Sequence, residues 1–236
     1  MQPQNPREYI PICNREIETI FSKMTVITLL TMAVGILFYG EKFNFWTNPI
    51  SDLGVTVTAH GHSNLASLAI FAIGMLSSGI LMLKIAIIFK ENIYLQYHKF
   101  KYYISIMTAF GFFIITYPHN INNNIHSIGG ALLFGGLWGL TLLFLIEAHS
   151  IKKTSHLILY HLILHSTVLT YAFNFVIKSR IEQITQKIAI LSLMIILKLS
   201  TSFHKDYILP TVPETSTEDT TNNATLQCPE DCKNYN

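Results

Sequence analysis

The sequence predicts an all-α fold, a polytopic transmembrane bundle of six helices with both termini in the cytoplasm. Three observations carry this expectation. Half of the 236 residues are apolar and only 13% are charged, against ~25% charged in a typical water-soluble domain. The mean hydropathy is +0.38. The 16 Lys/Arg and 14 Asp/Glu crowd into short segments between apolar runs, several of which reach the roughly 20 residues that a helix needs to cross a bilayer. A net charge of +2 is too small to argue for nucleic acid as a partner, and three cysteines make no disulfide framework. No Gly-rich phosphate loop follows a strand-like run. Dyad alternation is absent, which leaves helices rather than a barrel as the spanning elements.

The spans fall at about Ile20–Tyr39, Leu65–Phe89, Tyr102–Tyr117, Ile125–Ile146, His156–Ile177 and Thr185–Phe203. The third is short because Pro118 stops it, and the sixth has a narrow apolar centre. Residues 1–19 read as a cytoplasmic N-terminal segment, 20–203 as the six-helix membrane domain, and 204–236 as a disordered cytoplasmic tail. The N-terminal segment mixes Arg7 and Arg15 with Glu8, Glu16 and Glu18, and no small-residue cleavage site follows the first run, so the first span is expected to be retained. Nine basic residues near span ends fall on the side of the termini and four on the other, which places the termini in the cytoplasm. Lys101 is among the nine, in the second loop, while Lys84 and Lys198 snorkel from spans two and six. The tail is rich in Thr, Asn, Glu and Pro. Its Asn223-Ala224-Thr225 sequon reads as chance, and Cys228 and Cys232 as reduced thiols without a second ligand pair.

Polar groups inside or beside a membrane are costly and concentrate where function or packing requires them. Three places hold them here. The first outer loop carries Phe43, Phe45 and Trp46 as an interfacial belt, then Asn48-Pro49-Ile50-Ser51-Asp52-Leu53-Gly54. Pro49 fixes one dihedral, Ser51 or Asp52 can cap a turn, and Gly54 can supply a positive φ. This loop reads either as a packed re-entry turn or as a site where Asp52 holds a cation, a headgroup or a histidine such as His60 or His62. The third loop, Tyr117 to His126, is rich in amides and contains His119, and His126 opens span four as an acceptor or ligand. Behind it Ala131, Gly135 and Gly139 repeat every four residues, a small-residue pattern for close helix packing and for a helix-mediated oligomer. In span five His161 and His165 share a helix face. They read as hydrogen-bonded neutral histidines or as two ligands of a zinc ion that His126 would complete.

Two of these places together resemble a known family. Pro49-Ile50-Ser51-Asp52-Leu53-Gly54 is similar to the Pro-x-Ile-Ser-(Asp/Glu)-x-Gly signature of the Frag/DRAM/Sfk-type membrane proteins and of a related uncharacterised prokaryotic family. Tyr117-Pro118, with His126-Ser127-Ile128-Gly129-Gly130-Ala131 and Phe134, is similar to their Phe-Pro and His-x-x-Gly-Ala-x-x-Phe elements. Tyr117 stands where Phe is commoner, and His119 where an acidic residue often follows the proline. The resemblance implies a six-helix integral membrane protein without a settled enzymatic mechanism. Eukaryotic members are associated with autophagy regulation, glycosylphosphatidylinositol-anchor remodelling and phospholipid distribution.

The leading expectation is therefore a regulatory or lipid-interacting membrane protein, without a cofactor, in which Ser51, Asp52, His119 and His126 form a polar cluster at the outer mouth. Its partners are membrane lipids, and its location is the inner membrane if the chain is prokaryotic. A rival reading is a zinc-dependent lipid hydrolase resembling the alkaline-ceramidase and progestin-receptor-type superfamily, built on Ser51, Asp52, His126, His161 and His165. Its difficulty is depth, since His165 falls near mid-membrane and His126 at the surface. A third reading is a small transporter with Lys84, the span-five histidines and Asn174 along its path.

Overall fold

The computed structural model describes residues 6–151 and 155–204. The expected disordered tail beyond His204, with its sequon and Cys228 and Cys232, lies outside the described residues. The fold is all-helical, with α1 (Pro6–Leu37), α2 (Leu65–Glu91), α3 (His98–Ile114), α4 (Asn123–Ile151), α5 (Ser155–Val176) and α6 (Glu182–Ser202). A short 3₁₀ turn, Ile50–Gly54, interrupts the first loop. Among the described residues the only β-type pairing is an isolated bridge between Val57 and Ser63. Among the described residues five helices are long and apolar enough to cross a membrane. The exception is α3, at 17 residues. Isoleucine and leucine at Ile73, Ile80, Leu162, Leu169, Leu191 and Ile195 face outward, exposed. Such apolar outer faces on long helices are what a hydrocarbon surrounding accepts and water does not, as in a multi-pass integral membrane protein.

Each of α1 to α4 packs on its successor, and α6 closes the set by packing on α4 and α1. The fifth helix, α5, touches only α4 and α6 among the helices. Phe21, Met82, Ile85, Phe89 and Phe144 fill the main core, while Leu145, Leu157, Leu164, Leu193 and Ile196 fill a second cluster under α5. The first helix starts ahead of residue 20. Cys13, Ile17, Ile20, Phe21 and Met24 are all buried at helical spacing, so residues 13–19 continue the bundle.

Close packing runs through glycine, in a register different from the expected one. A Cβ on Gly111 would strike the Leu133 backbone, one on Gly129 the Ile115 backbone and one on Gly136 the Thr108 side chain. These residues let α3 and α4 approach backbone to backbone. Of the expected stripe, Gly139 makes ordinary contact with Ile104, but Gly135 has nothing within 4 Å of a Cβ. Ala131 and Gly135 are exposed. The tight face of α4 is thus rotated away from the Ala131–Gly135–Gly139 stripe.

Gly111→Ala should therefore destabilise the protein by ~1–3 kcal/mol through overpacking. Gly135→Ala should be neutral or stabilising by up to ~1 kcal/mol through helix propensity. Thermal melts of the two variants in the same detergent check the contrast.

Candidate functional site

The first loop must satisfy its irregular backbone without the help of a helix. Two asparagines begin this. Trp46 N donates to Asn44 Oδ1 and Asn44 N donates to Asn48 Oδ1, both at 3.0 Å. Pro49, at φ −65° and ψ 154°, turns the chain into the 3₁₀ turn, and no side chain caps its start. Gly54 is required for space rather than for a positive φ. A Cβ there would lie 2.8 Å from the Phe71 ring, and Gly61 is the glycine with positive φ, at 85°. Asn64, 1% exposed, accepts from Gly40 N at 3.0 Å and donates to the carbonyls of Asp52 at 3.2 Å and Val55 at 3.0 Å. Ser67 Oγ donates to Leu53 O at 3.0 Å.

This framework holds Asp52 toward the third loop. Its Oδ1 lies 3.0 Å from His119 Nε2, and its Oδ2 accepts from Asn48 Nδ2 at 3.1 Å. The His119 ring meets the His126 ring edge to face, with centroids 5.4 Å apart. His126 Nδ1 donates to Tyr117 O at 2.9 Å. Asn122 starts α4 by accepting from the backbone of Asn124 and Ile125. Asn120 stitches the two loops, accepting from Thr56 N at 3.2 Å and donating to Thr56 Oγ1 at 2.7 Å. The start of α6 joins from the other side. Lys187 Nζ donates to Asn48 O at 2.7 Å, and Ile50 N donates to Gln186 Oε1 at 2.9 Å. His60 turns elsewhere, its Nδ1 2.8 Å from Glu41 Oε2, which also accepts from Thr58 Oγ1 at 3.0 Å.

Below this cluster a cavity of about 580 Å³ opens between α4 and α5. Ser51, His119 and His126 line its mouth, so the four residues singled out in the sequence meet there, with Asp52 behind His119. Ala131, Phe134, Gly135, Leu169 and Ala172 form its walls, and Trp138 lies at its far end. From Asn123 to Trp138 the wall runs fifteen residues along α4, ~22 Å at the helical rise. Ala131 and Gly135 present little bulk to this opening, and nothing lies within 4 Å of a Cβ placed on Gly135.

The histidines of span five sit at the other end of this wall. His161 and His165 stack with centroids 5.7 Å apart, and Trp138 Nε1 donates to His165 Nδ1 at 3.1 Å. His126 is twelve residues from Trp138 along α4, ~18 Å by the helical rise, so the three histidines of the zinc reading are not gathered. Among the described residues no three His, Cys, Asp or Glu side chains form a group able to hold a metal ion.

No family model, curated protein or solved structure matches this chain.

The opposite end of the bundle holds a cluster that sequence reasoning missed. Lys101, placed in the second loop by the span boundaries, belongs to α3 and is 2% exposed. Its Nζ donates to Glu147 Oε1 and Oε2 at 2.6 and 2.5 Å and sits 4.2 Å from the centre of the Phe144 ring. His204 Nε2 approaches Glu147 Oε2 to 3.2 Å, while its Nδ1 donates to Ser200 O at 2.8 Å. Asn14 Nδ2 donates to His204 O at 2.9 Å. At this end α1, α3, α4 and the end of α6 are joined. The available signal was a Lys and a Glu at adjoining span ends, on the same predicted side of the membrane. Glu182 and Gln186 were also missed as cavity residues, because Glu182 reads as loop polarity and Gln186 falls in the polar first turn of the sixth span.

Breaking the buried pair on one side should cost ~3–5 kcal/mol, because it strands the other charge, whereas replacing both partners with apolar residues should restore most of that loss. Chemical denaturation of Lys101→Met and of Lys101→Met/Glu147→Leu checks this. Glu41 supplies a pH test. Burial pushes its carboxyl upward, but hydrogen bonds from His60 and Thr58 and the nearby imidazoles outweigh it and hold the group below its ordinary value. Its folded-state pKa is therefore depressed. The stabilisation is present above the unfolded glutamate value of ~4.3 and is lost as pH falls through the lower folded value. The melting-temperature advantage of wild type over Glu41→Gln should be positive near neutrality and vanish in acid.

Proposed function

We propose that this chain is a six-span integral membrane protein that holds a membrane amphiphile in the cavity between α4 and α5, in a regulatory or lipid-interacting role rather than a catalytic one. One observation carries the reading. The cavity has hydroxyl, imidazole and amide groups at one end and alkyl and aromatic walls along the rest. That division matches a molecule with a polar head and an apolar tail, since each group is then matched without leaving buried polar atoms unpaired. The walls also open between helices whose outward faces are apolar, the direction from which such a molecule would enter.

In this reading α3 is the sixth span, its 17 residues rising ~26 Å between two longer neighbours. Without the buried Lys101, the basic residues still stand eight against four for the side of the termini, so the termini face the cytoplasm and the Asp52 cluster faces outward. The membrane is the inner membrane if the chain is prokaryotic. The resemblance of residues 49–54 and 117–134 to the Frag/DRAM/Sfk type supports the same layout.

Gly135→Leu tests the site, because its new side chain meets no neighbouring atom at Cβ and grows into the cavity. Native mass spectrometry of wild type purified in mild detergent should show a retained lipid. In Gly135→Leu its occupancy should fall about tenfold, equal to ~1.4 kcal/mol, with the melting temperature not lowered. Equal occupancy in the two proteins would sink the proposal.

A further inference from the structure

One carboxylate on the cavity wall has no hydrogen-bonded partner among the described residues, and its sign points to a class of ligand. Glu182 begins α6 and lines the cavity. Its backbone carbonyl accepts from Thr185, but among the described residues no hydrogen bond or ion pair reaches its carboxylate. The first turn of a helix favours a carboxylate through the exposed N–H groups and the macrodipole. Glu182 is only partly buried, and a cationic group arriving beside it would make a charge-assisted contact.

The cations nearby are already committed or stand outside. Lys187 gives its ammonium to Asn48 O and Gln183 O and lies 5.0 Å from the centre of the Phe45 ring. His119 is bound to Asp52, and His126 to Tyr117 O. Lys178 acts on Glu182 through space but is exposed and is not part of the cavity wall. An anionic head would find Glu182 opposing it, while Lys178 and Arg180, both exposed, stand outside the cavity wall.

The walls next to Glu182 favour the opposite charge for a second reason. Phe134 and Tyr171 lie 4.9 Å apart, centre to centre, and Tyr171 and Phe175 6.1 Å, and all three line the cavity. Ring faces attract ammonium groups, including quaternary ones that cannot donate hydrogen bonds. Tyr171 is held by Gln186, whose amide donates to its hydroxyl oxygen at 3.4 Å, so the phenol hydrogen stays free for a ligand.

We infer that the cavity selects amphiphiles whose head carries a positive charge, an amine or a quaternary ammonium, with Glu182 as counter-ion and the rings of Phe134, Tyr171 and Phe175 around it. This rests on the reading of the cavity as an amphiphile site and adds the charge of the head. A zwitterionic lipid satisfies it through its ammonium group.

Trp46 and Trp138 are the two tryptophans of the chain, and Trp138 lines the cavity, so a Trp46→Phe protein in nanodiscs reports from the site alone. The probes are a hexadecyl chain brominated at its middle, carrying either a trimethylammonium or a sulfate head, with partition into empty nanodiscs measured for both. Saturable quenching of Trp138 should need about tenfold less of the ammonium probe than of the sulfate, the value of one charge-assisted contact. Glu182→Gln should remove that preference, and Glu182→Lys should reverse it. If the two probes bind equally, or the preference survives Glu182→Gln, while Gly135→Leu still abolishes quenching, the charge selectivity falls and the cavity site stands. If quenching does not saturate in the parent protein and ignores Gly135→Leu, the site itself falls and the inference with it.

Discussion

The amide of Asn64 is the interaction on which the architecture of the candidate site depends. A loop packed against helices at the edge of a membrane cannot leave its N–H and C=O groups unpaired, because little water reaches them and each would cost the desolvation of a polar group. Asn64 brings together three separate points of the first loop, at Gly40, Asp52 and Val55. Ser67 secures the carbonyl between the last two. Only with the 3₁₀ turn fixed this way does the Asp52 carboxylate reach His119, and only then do the loops form a roof over α4 and α5. The polar cluster is thus a product of backbone satisfaction before it is a candidate for recognition.

A single helix, α4, decides where the bundle is closed and where it is open. One of its faces carries Gly129 and Gly136 against α3, with no room for even a methyl group. Another carries Ala131 and Gly135, where the same small residues meet nothing and leave a void. Small side chains serve opposite ends here because packing depends on what the neighbour does. Against α3 the neighbour approaches and dispersion contacts form. On the α5 side the two helices meet at the bond from Trp138 to His165, and the cavity lies along the same wall.

That distinction explains what the sequence could convey. The helices and the broad membrane character follow from hydropathy and run length, which are local. The meeting of Asp52 with His119 and His126 could be anticipated because their segments fall on the same side of alternating spans. The register of the glycines could not, because Gly129/Gly136 and Ala131/Gly135 are equally small and only the position of α3 chooses between them. Gly54 appeared to serve backbone freedom, whereas it serves the approach of Phe71. The early start of α1 was legible in principle, since Cys13, Ile17 and Ile20 continue the apolar face, but the charges of Arg15, Glu16 and Glu18 hid it. Lys101, Glu147 and His204 are separated by 46 residues or more along the chain, and no local pattern announces their contact.

The position of α5 has a kinetic consequence. Among the helices it has two neighbours, while the remaining five form a closed circuit fastened at one end by Glu147 and its partners. Local opening costs only the contacts that are given up, so displacement of α5 is paid for by two interfaces and leaves the circuit intact. A molecule held at the proposed site would then come and go on a timescale set by that one helix, far faster than global unfolding, and fold stability and residence time would be separately adjustable quantities.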